Sequence, residues 1–263
     1  MRLSRYLLPV AALLLASCAV DGGPVSNARP ALAGVRFINA LADEGPVDAR
    51  MIDQVQWSAY ALGINFRQAG IRMPAQAGSR PIRVWRATND INQLDLLIEQ
   101  TVDIVEGQDV TLLLTGSVQG GTARIDVIPD AVPDSSANQI HIRGVNATGA
   151  AAELSWVSGA NTNPVGSVGP LSATAFTQRA LGTVTAQFNA PGAPATIWST
   201  EAPAGVAQTD NGIGATAGYR ASGSALSAYL FPASVVGSRA PQTAPFAKAA
   251  VVWFVDRVPA PPR

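Results

Sequence analysis

The sequence predicts an all-β protein built from two tandem β-sandwich domains. Short apolar stretches that alternate with polar residues recur along the chain, as is typical of half-buried strands. The 24 glycines and 19 prolines among the 263 residues supply turn formers between these stretches. A six-residue pattern from the first half returns in the second half, which indicates two copies of one domain. Apolar residues make up 48% of the chain and its charges balance, so we do not expect disorder.

The composition excludes several classes of function. The 18 basic side chains are matched by 18 acidic ones, so there is no basic surplus to hold a polyphosphate, and nucleic acid is not an expected partner. A single cysteine and a single histidine exclude an internal disulfide framework and a Cys/His zinc site. We therefore predict no metal and no other cofactor.

The N-terminus has the organisation of a secretory signal peptide. Arg2 and Arg5 form a positive segment, and residues 7–15 form an apolar stretch that is too short to span a bilayer as a mature helix. Small residues follow it. We therefore predict a signal peptide over residues 1–17.

The end of this segment, Leu15-Ala16-Ser17-Cys18, resembles the bacterial lipobox, in which cleavage falls just before the cysteine. The resemblance implies that Cys18 becomes the first mature residue and carries acyl chains such as palmitate, which hold a protein firmly at a bilayer. An ordinary secreted protein with a chance cysteine is the alternative. Ala19, where some lipoproteins have aspartate, resembles the outer-membrane sorting pattern of enterobacterial lipoproteins. We expect a lipid-anchored protein of the outer membrane, with residues 18–33 as a flexible tether.

The body of the chain contains strand-like runs in both halves. We predict strands at 35–38, 82–86, 110–114, 125–128, 140–143, 153–157, 183–188, 195–198, 226–231 and 251–255. Residues 91–106 are ambiguous, because their apolar side chains fit both a helical spacing and a period of two. The β-rich surroundings favour a strand there, with a helix as the alternative.

The repeat sets the expected domain boundaries. Residues 35–40, VRFINA, can be laid over residues 142–147, IRGVNA, and each half ends with an apolar strand that carries an aspartate and then a proline. The connecting segment is rich in turn formers. We therefore predict β-sandwich domains over 34–130 and 137–258.

Two segments of the first domain resemble a family of secreted bacterial modules known as domain of unknown function 4397. They are residues 35–48, VRFINALADEGPVD, and residues 101–116, TVDIVEGQDVTLLLTG. The resemblance covers roughly residues 34–128 and implies an exported sandwich of the immunoglobulin-like or transthyretin-like kind. The second half departs from the pattern, since Phe231-Pro232 stands where Thr115-Gly116 would be expected. The family supplies no established activity.

Basic side chains give few candidates for chemistry. His141 is the only imidazole, and it lies on the strand face opposite Ile140 and Ile142. We expect it to be exposed to water or satisfied locally, and a catalytic base is the less favoured alternative. A basic stretch contains Trp85 and five arginines, which are Arg67, Arg72, Arg80, Arg83 and Arg86. These could hold a carboxylate, a phosphate or a sugar, but pairing with the acids of the same domain is the favoured interpretation.

Three acidic residues in one loop, Asp43, Glu44 and Asp48, are the candidate ligand or metal site. Paired carboxylates could also hydrolyse glycans without a histidine. Their spacing matches no established calcium loop, and a solvated loop is the favoured interpretation. We therefore predict no catalytic residues and a non-catalytic envelope lipoprotein acting as a structural or binding module. Its expected partners are the membrane, through the N-terminal lipid, and another envelope protein or a glycan. A carboxylate-dependent envelope hydrolase acting on glycans is the alternative.

Overall fold

The computed structural model describes residues 30–53, 61–90, 95–206 and 214–259. Within these ranges the chain forms strands, turns and loops only, so the predicted all-β class is confirmed. No helix in the described part is both long and apolar enough to cross a membrane. The predicted signal peptide, Cys18 and the tether as far as residue 29 lie outside the described residues.

The strands divide into two sets along the chain. The first set comprises β1 Leu32–Asn39, β2 Val47–Met51, β3 Ala61–Ile64, β4 Met73–Gln76, β5 Gly78–Arg86, β6 Leu96–Ile104, β7 Val110–Thr115 and β8 Arg124–Pro129. The second set comprises β9 Gln139–Asn146, β10 Ala152–Ser158, β11 Asn161–Val168, β12 Ser172–Ala173, β13 Thr177–Ala180, β14 Thr185–Ala190, β15 Ala193–Glu201, β16 Ala225–Phe231 and β17 Ala250–Arg257.

The first sandwich contains β1 to β8. Its two sheets have the strand orders β4-β1-β7-β8 and β3-β2-β5-β6. Successive side chains of a strand point to opposite faces, so Val35 and Phe37 of β1 enter the core between the sheets, where they join Val47, Ile82 and Leu112. Burial of such side chains, at about 25 cal/mol per Å² of apolar surface, holds the sheets together.

The second sandwich contains β9 to β17. One sheet has the order β12-β9-β16-β17, with β13 also paired to β9, and the other has the order β11-β10-β14-β15. Its core includes Leu154, Trp156 and Phe188. The ring of Trp156 stacks on that of Trp253, with centroids 6.0 Å apart and planes 29° apart. The predicted sandwich layout is therefore present in both halves.

The same pairing pattern occurs in both sandwiches. The first strand of each runs parallel to the penultimate one, β1 beside β7 and β9 beside β16. The asparagine of the sequence repeat also has the same contacts in both. The Nδ2 group of Asn39 donates to the carbonyls of Gly45 and Ile64, and that of Asn146 donates to those of Ala150 and Val168. These bonds fasten the loop after the first strand, which gives the repeated asparagine a structural role.

The two sandwiches pack against each other through a third apolar cluster, which we call the junction. Every residue of β7 and of β16 is buried, because one face of each strand covers its own core and the other covers the opposite sandwich. The buried residues of the junction are Ile38, Ala40, Leu113, Ile128, Val145, Ala147, Tyr229 and Phe231. Residues 31–263 consequently form one compact unit.

All ten predicted runs fall in or overlap strands. The ambiguous segment forms strand β6, as favoured, although residues 91–94 lie outside the described residues. The sequence did not reveal β11, whose residues are mostly exposed and include Pro164. Proline and polar residues suit an edge strand, so the hydrophobic pattern that identifies central strands is missing there.

Replacement of Trp156 by alanine should destabilise the protein by about 3–5 kcal/mol, because it removes a buried indole and leaves a cavity beside Trp253. Urea denaturation followed by circular dichroism measures the change. The control is Val236→Ala at a side chain that is 91% exposed, which should change stability by less than about 0.5 kcal/mol. Equal effects of the two substitutions would contradict the packing described.

Candidate functional site at the junction

The candidate acidic loop after β1 is held in place by its own hydrogen bonds. The carboxylate of Asp43 accepts from the Ser117 hydroxyl at 2.6 Å and from the backbone amides of Val118 and Gln119 at 3.1 and 2.9 Å. Burial by itself raises the pKa of Asp43, but these hydrogen bonds outweigh it and lower the pKa below its ordinary value. Asp43 therefore fastens the β7–β8 turn to the loop after β1.

The other two acids of this loop have different partners. Glu44 lies 2.9 Å from the guanidinium of Arg86, and it accepts from the amide of Gly45. Asp48 accepts from the amide of Gly63 at 2.7 Å. Within the described ranges, no three His, Cys, Asp or Glu side chains form a group that could hold a metal ion. Each acid stabilises a separate loop contact.

The basic stretch is paired with acids at four of its five arginines. The favoured interpretation is therefore confirmed for these four, with pairs Arg72–Asp130, Arg80–Asp53, Arg83–Glu99 and Arg86–Glu44. Arg67 differs, because its partners are backbone carbonyls of the second sandwich.

Arg67 is held by the long β16–β17 connection, residues 232–249. Its guanidinium donates to the carbonyls of Pro232 at 2.6 Å and Pro245 at 3.0 Å, and also to that of Lys248. The rings of Phe66 and Phe246 lie 4.9 and 5.3 Å from the guanidinium carbon. Burial lowers the pKa of Arg67 to about 10. This connection therefore binds the second sandwich to the first.

Four buried charges lie inside the junction, and Arg36 of β1 provides the first. Its Nε donates to the Thr111 hydroxyl of its own sheet at 3.0 Å. Its two terminal nitrogens cross to the other sandwich, where they donate to the Val255 carbonyl at 3.0 Å and to the Asp256 carboxylate at 2.6 Å. Arg36 thus links β1 to β17.

Arg143 of β9 makes the reciprocal set of contacts. Its Nε donates to the Ser227 hydroxyl of its own sheet at 2.7 Å, and its terminal nitrogens donate to the Pro129 carbonyl at 2.7 Å and to the Asp130 carboxylate. Each arginine therefore uses the same three donors on equivalent acceptors. This is the arrangement of an isologous interface, in which each side offers the same patch to the other.

Hydroxyl groups complete the two halves of this network. The Thr111 hydroxyl donates to Asp130 at 2.6 Å, and the Ser227 hydroxyl donates to Asp256 at 2.6 Å. Each carboxylate consequently receives a bond from its own sandwich as well as from the arginine of the other. Buried charges are tolerated when they are both paired and hydrogen-bonded in this way.

Burial and neighbouring charges shift the pKa values of the network residues in opposite directions. Burial raises the pKa of Asp130, but the positive charges of Arg143, Arg36 and Arg72 outweigh it and lower the pKa. Burial likewise lowers the pKa of Arg36, whereas Tyr229, Asp256 and Asp130 raise it, and the net direction is upward. Asp130 and Arg36 are therefore both charged at neutral pH.

The network also occupies the free edges of the last strands. β8 and β17 each end one sheet of the junction, and their outward carbonyls at Pro129 and Val255 accept from the arginine of the other sandwich. Farther along β8, the Gln100 side chain bonds both the amide and the carbonyl of Ile125. Side chains thus take the places where an added strand would pair.

Two environments were expected for His141, exposure to water or local satisfaction, and the first is wrong because the side chain is buried. Its face, opposite the core residues Ile140 and Ile142, is covered because it points to the junction rather than to solvent. Its Nδ1 lies 3.5 Å from the guanidinium of Arg257. Burial and then the charge of Arg257 lower the pKa of His141, so the ring is neutral at pH 7.

The sequence indicated three of the four network residues, Arg36, Arg143 and Asp256, but not their role. Arg36 and Arg143 occupy the same place in the repeat, but the shared strand ending matched Asp256 with Asp126, whereas in the structure the counterpart of Asp256 is Asp130. A polar residue between apolar ones, such as Arg36 between Val35 and Phe37, gives the same pattern as the solvent face of a strand. Only the packing of two sheets face to face makes that side an interior.

Removing one partner of an ion pair in the network should greatly lower the free energy of unfolding, whereas removing both partners should lower it much less. Arg36→Met and Asp256→Leu should each destabilise the protein by about 3–5 kcal/mol, because each leaves a buried charge unpaired, and the double variant should lose far less than their sum. Urea denaturation of the four proteins in a double-mutant cycle measures the coupling.

The control for that cycle is the exposed pair Arg83–Glu99, whose side chains are 40% and 51% exposed. Arg83→Met and Glu99→Leu should couple by at most about 1 kcal/mol. If the coupling energy of Arg36 and Asp256 were as small as that of the exposed pair, the buried network would contribute no specific stabilisation.

Acid should weaken the protein partly through Asp130. Its folded pKa lies below the unfolded value of about 3.9, so its contribution to stability is present above about pH 4 and is lost as the pH falls through the folded pKa. Urea denaturation between pH 7 and pH 2 should show a shallower acid loss for Asp130→Asn than for the wild type. The exposed control Asp103→Asn should follow the wild type, and identical slopes for all three proteins would refute this assignment.

Comparison with known proteins identifies one similar family. Residues 33–157 match the family described as a domain of unknown function, DUF4397. The match spans the first sandwich, β9 and most of β10, and it therefore extends beyond the region of the expected resemblance. No curated protein matches the chain. The first sandwich and the start of the second are thus similar to a module whose description assigns no activity.

Proposed function

We propose that the chain is a non-catalytic lipoprotein of the bacterial cell envelope, anchored in the outer membrane through lipid on Cys18. In this role the two sandwiches form one rigid structural or binding module, held at the membrane by the tether over residues 18–33. The anchor rests on the lipobox-like end of the signal peptide and on the absence of any other cysteine from the sequence.

The observation that carries the proposal is the buried junction. Arg36 and Asp256, with Arg143 and Asp130, join the sandwiches by bonds that cannot be broken singly without leaving a buried charge. Apolar side chains surround these groups. A body of this kind keeps its two ends at a fixed separation, which suits a spacer or a surface presented to another envelope protein or to a glycan.

The hydrolase alternative receives less support. A glycosidase needs two carboxyl groups on either side of one scissile bond. Asp43 binds the β7–β8 turn, Glu44 binds Arg86, and Asp48 binds Gly63, so each acid of the loop is engaged in a separate contact. We therefore favour the non-catalytic role, and turnover of an envelope glycan by the purified chain would reverse this choice.

Metabolic labelling tests the anchor. Cells that express the chain are given an alkyne analogue of palmitate, and the protein is then purified and its label measured. The wild type should be labelled and should sediment with outer membranes, whereas Cys18→Ser should lose the label and leave the membrane fraction, since no other thiol is present. Ser26→Ala, in the tether, is the matched control and should keep the label. An unlabelled wild-type protein, with an unmodified N-terminus by mass spectrometry, would overturn the anchor.

A further inference from the structure

A cleft of about 520 Å³ opens at one end of the junction. One wall comes from the end of β8 and the segment after it, with Val127, Pro129 and Pro133, and the other comes from the β11–β13 region, with Leu171 and Phe176. Its volume lies in the range of ligand-binding clefts, which often form where two domains meet. Its walls continue into the junction, since Ile128, Leu171 and Ala173 contribute to both.

The counterpart of this cleft in the first sandwich is covered. Arg67 and Leu171 occupy equivalent places: both have a positive φ, 64° and 51°, and both precede by two residues an alanine that pairs with the first strand, Ala69 with Ile38 and Ala173 with Val145. Arg67 is buried beneath the 232–249 connection. Leu171 is only partly buried.

The difference arises from the loop that could cover Leu171. The equivalent of the 232–249 connection is the β7–β8 turn, residues 116–123, which is much shorter. Asp43 holds this turn at Ser117 and Gln119 against its own sandwich. One end of the junction is therefore closed by a loop of the chain, and the other presents an apolar cleft.

The chemistry of the walls selects the occupant. Arg143 is the charged residue of the lining, and each of its three guanidinium nitrogens already donates to Ser227, Pro129 or Asp130. Because the Asp130 carboxylate already pairs with this guanidinium, the lining offers no uncompensated positive charge to attract a phosphate or a carboxylate. The Phe176 ring lies 4.7 Å from the Arg143 guanidinium carbon and lines the cleft together with Leu171. Grooves with aromatic walls bind proline-rich segments, which are already ordered before binding.

We infer that this cleft docks an uncharged, proline-rich peptide segment with an aromatic side chain, supplied by another envelope protein. The loop that covers the equivalent position has the same character, since it places Pro245 and Phe246 against Arg67 and Phe66. Leu171 in place of Arg67 removes the guanidinium that binds carbonyls, so the docked segment is held by side-chain contact. The inference deepens the proposed binding role and rests on it.

Fluorescence anisotropy of the full chain in detergent tests the inference. The probe is a labelled octapeptide with the sequence of residues 240–247, APQTAPFA, and a second peptide carries serine in place of its two prolines and its phenylalanine. The first peptide should bind saturably, and the dissociation constant of the second should be at least about tenfold higher. Leu171→Asn and Phe176→Ser should each weaken binding of the first peptide about tenfold or more. Asparagine suits the positive φ at position 171, so the fold is retained there.

Ile71→Asp is the matched control, because this residue is 74% exposed at the equivalent end of the first sandwich, and it should leave binding unchanged. Absence of binding by the wild type, or equal affinity of the wild type and both cleft variants, would overturn the inference. Self-association of the chain that Leu171→Asn abolishes, without peptide binding, would also overturn it in favour of a second copy. Because the measurement does not depend on acylation, its failure would leave the anchor at Cys18 untouched.

Discussion

The exchange of two arginines across the junction is the constraint on which the architecture depends. A buried guanidinium is stabilised by hydrogen-bond acceptors and by a carboxylate within bonding distance, and for Arg36 and Arg143 neither sandwich supplies the full set by itself. Arg36 finds its carboxylate in the second sandwich and Arg143 finds its carboxylate in the first. The relative position of the sandwiches is thereby fixed by hydrogen-bond geometry, while the apolar cluster around the charges supplies favourable burial that is less directional.

The same exchange explains how the sheets end. An edge strand leaves unpaired amides and carbonyls that invite another strand, and proteins must block or cover them. Here the arginines donate hydrogen bonds to the carbonyls of Pro129 and Val255, and the Gln100 side chain bonds the amide and the carbonyl of Ile125. Recognition by addition of a strand is thus obstructed along these two edges. Clefts and loops are the surfaces left for recognition around the junction. An apolar cleft there is therefore a better candidate for a binding site than a strand edge.

The strands with apolar alternation were predictable from the sequence, because their pattern records burial on one face. The sequence shows that both halves have an asparagine at this position, but only the structure shows that its side chain holds the loop after the first strand. The junction was not predictable in this way. A strand buried on both faces by different partners gives a mixed pattern in which Arg36 or His141 resembles a solvent-facing residue. The acidic residues are close together in the sequence, but the directions of their side chains depend on turns distant along the chain, such as Ser117–Gln119 for Asp43.

An interface in which each half offers the same patch is normally met between two identical chains. Here both patches lie in one polypeptide. Within one chain the two patches can differ in sequence, since a substitution on one side does not appear on the other. The unequal pair Arg67 and Leu171 illustrates this freedom: Arg67 binds the 232–249 connection, whereas Leu171 lines an open cleft.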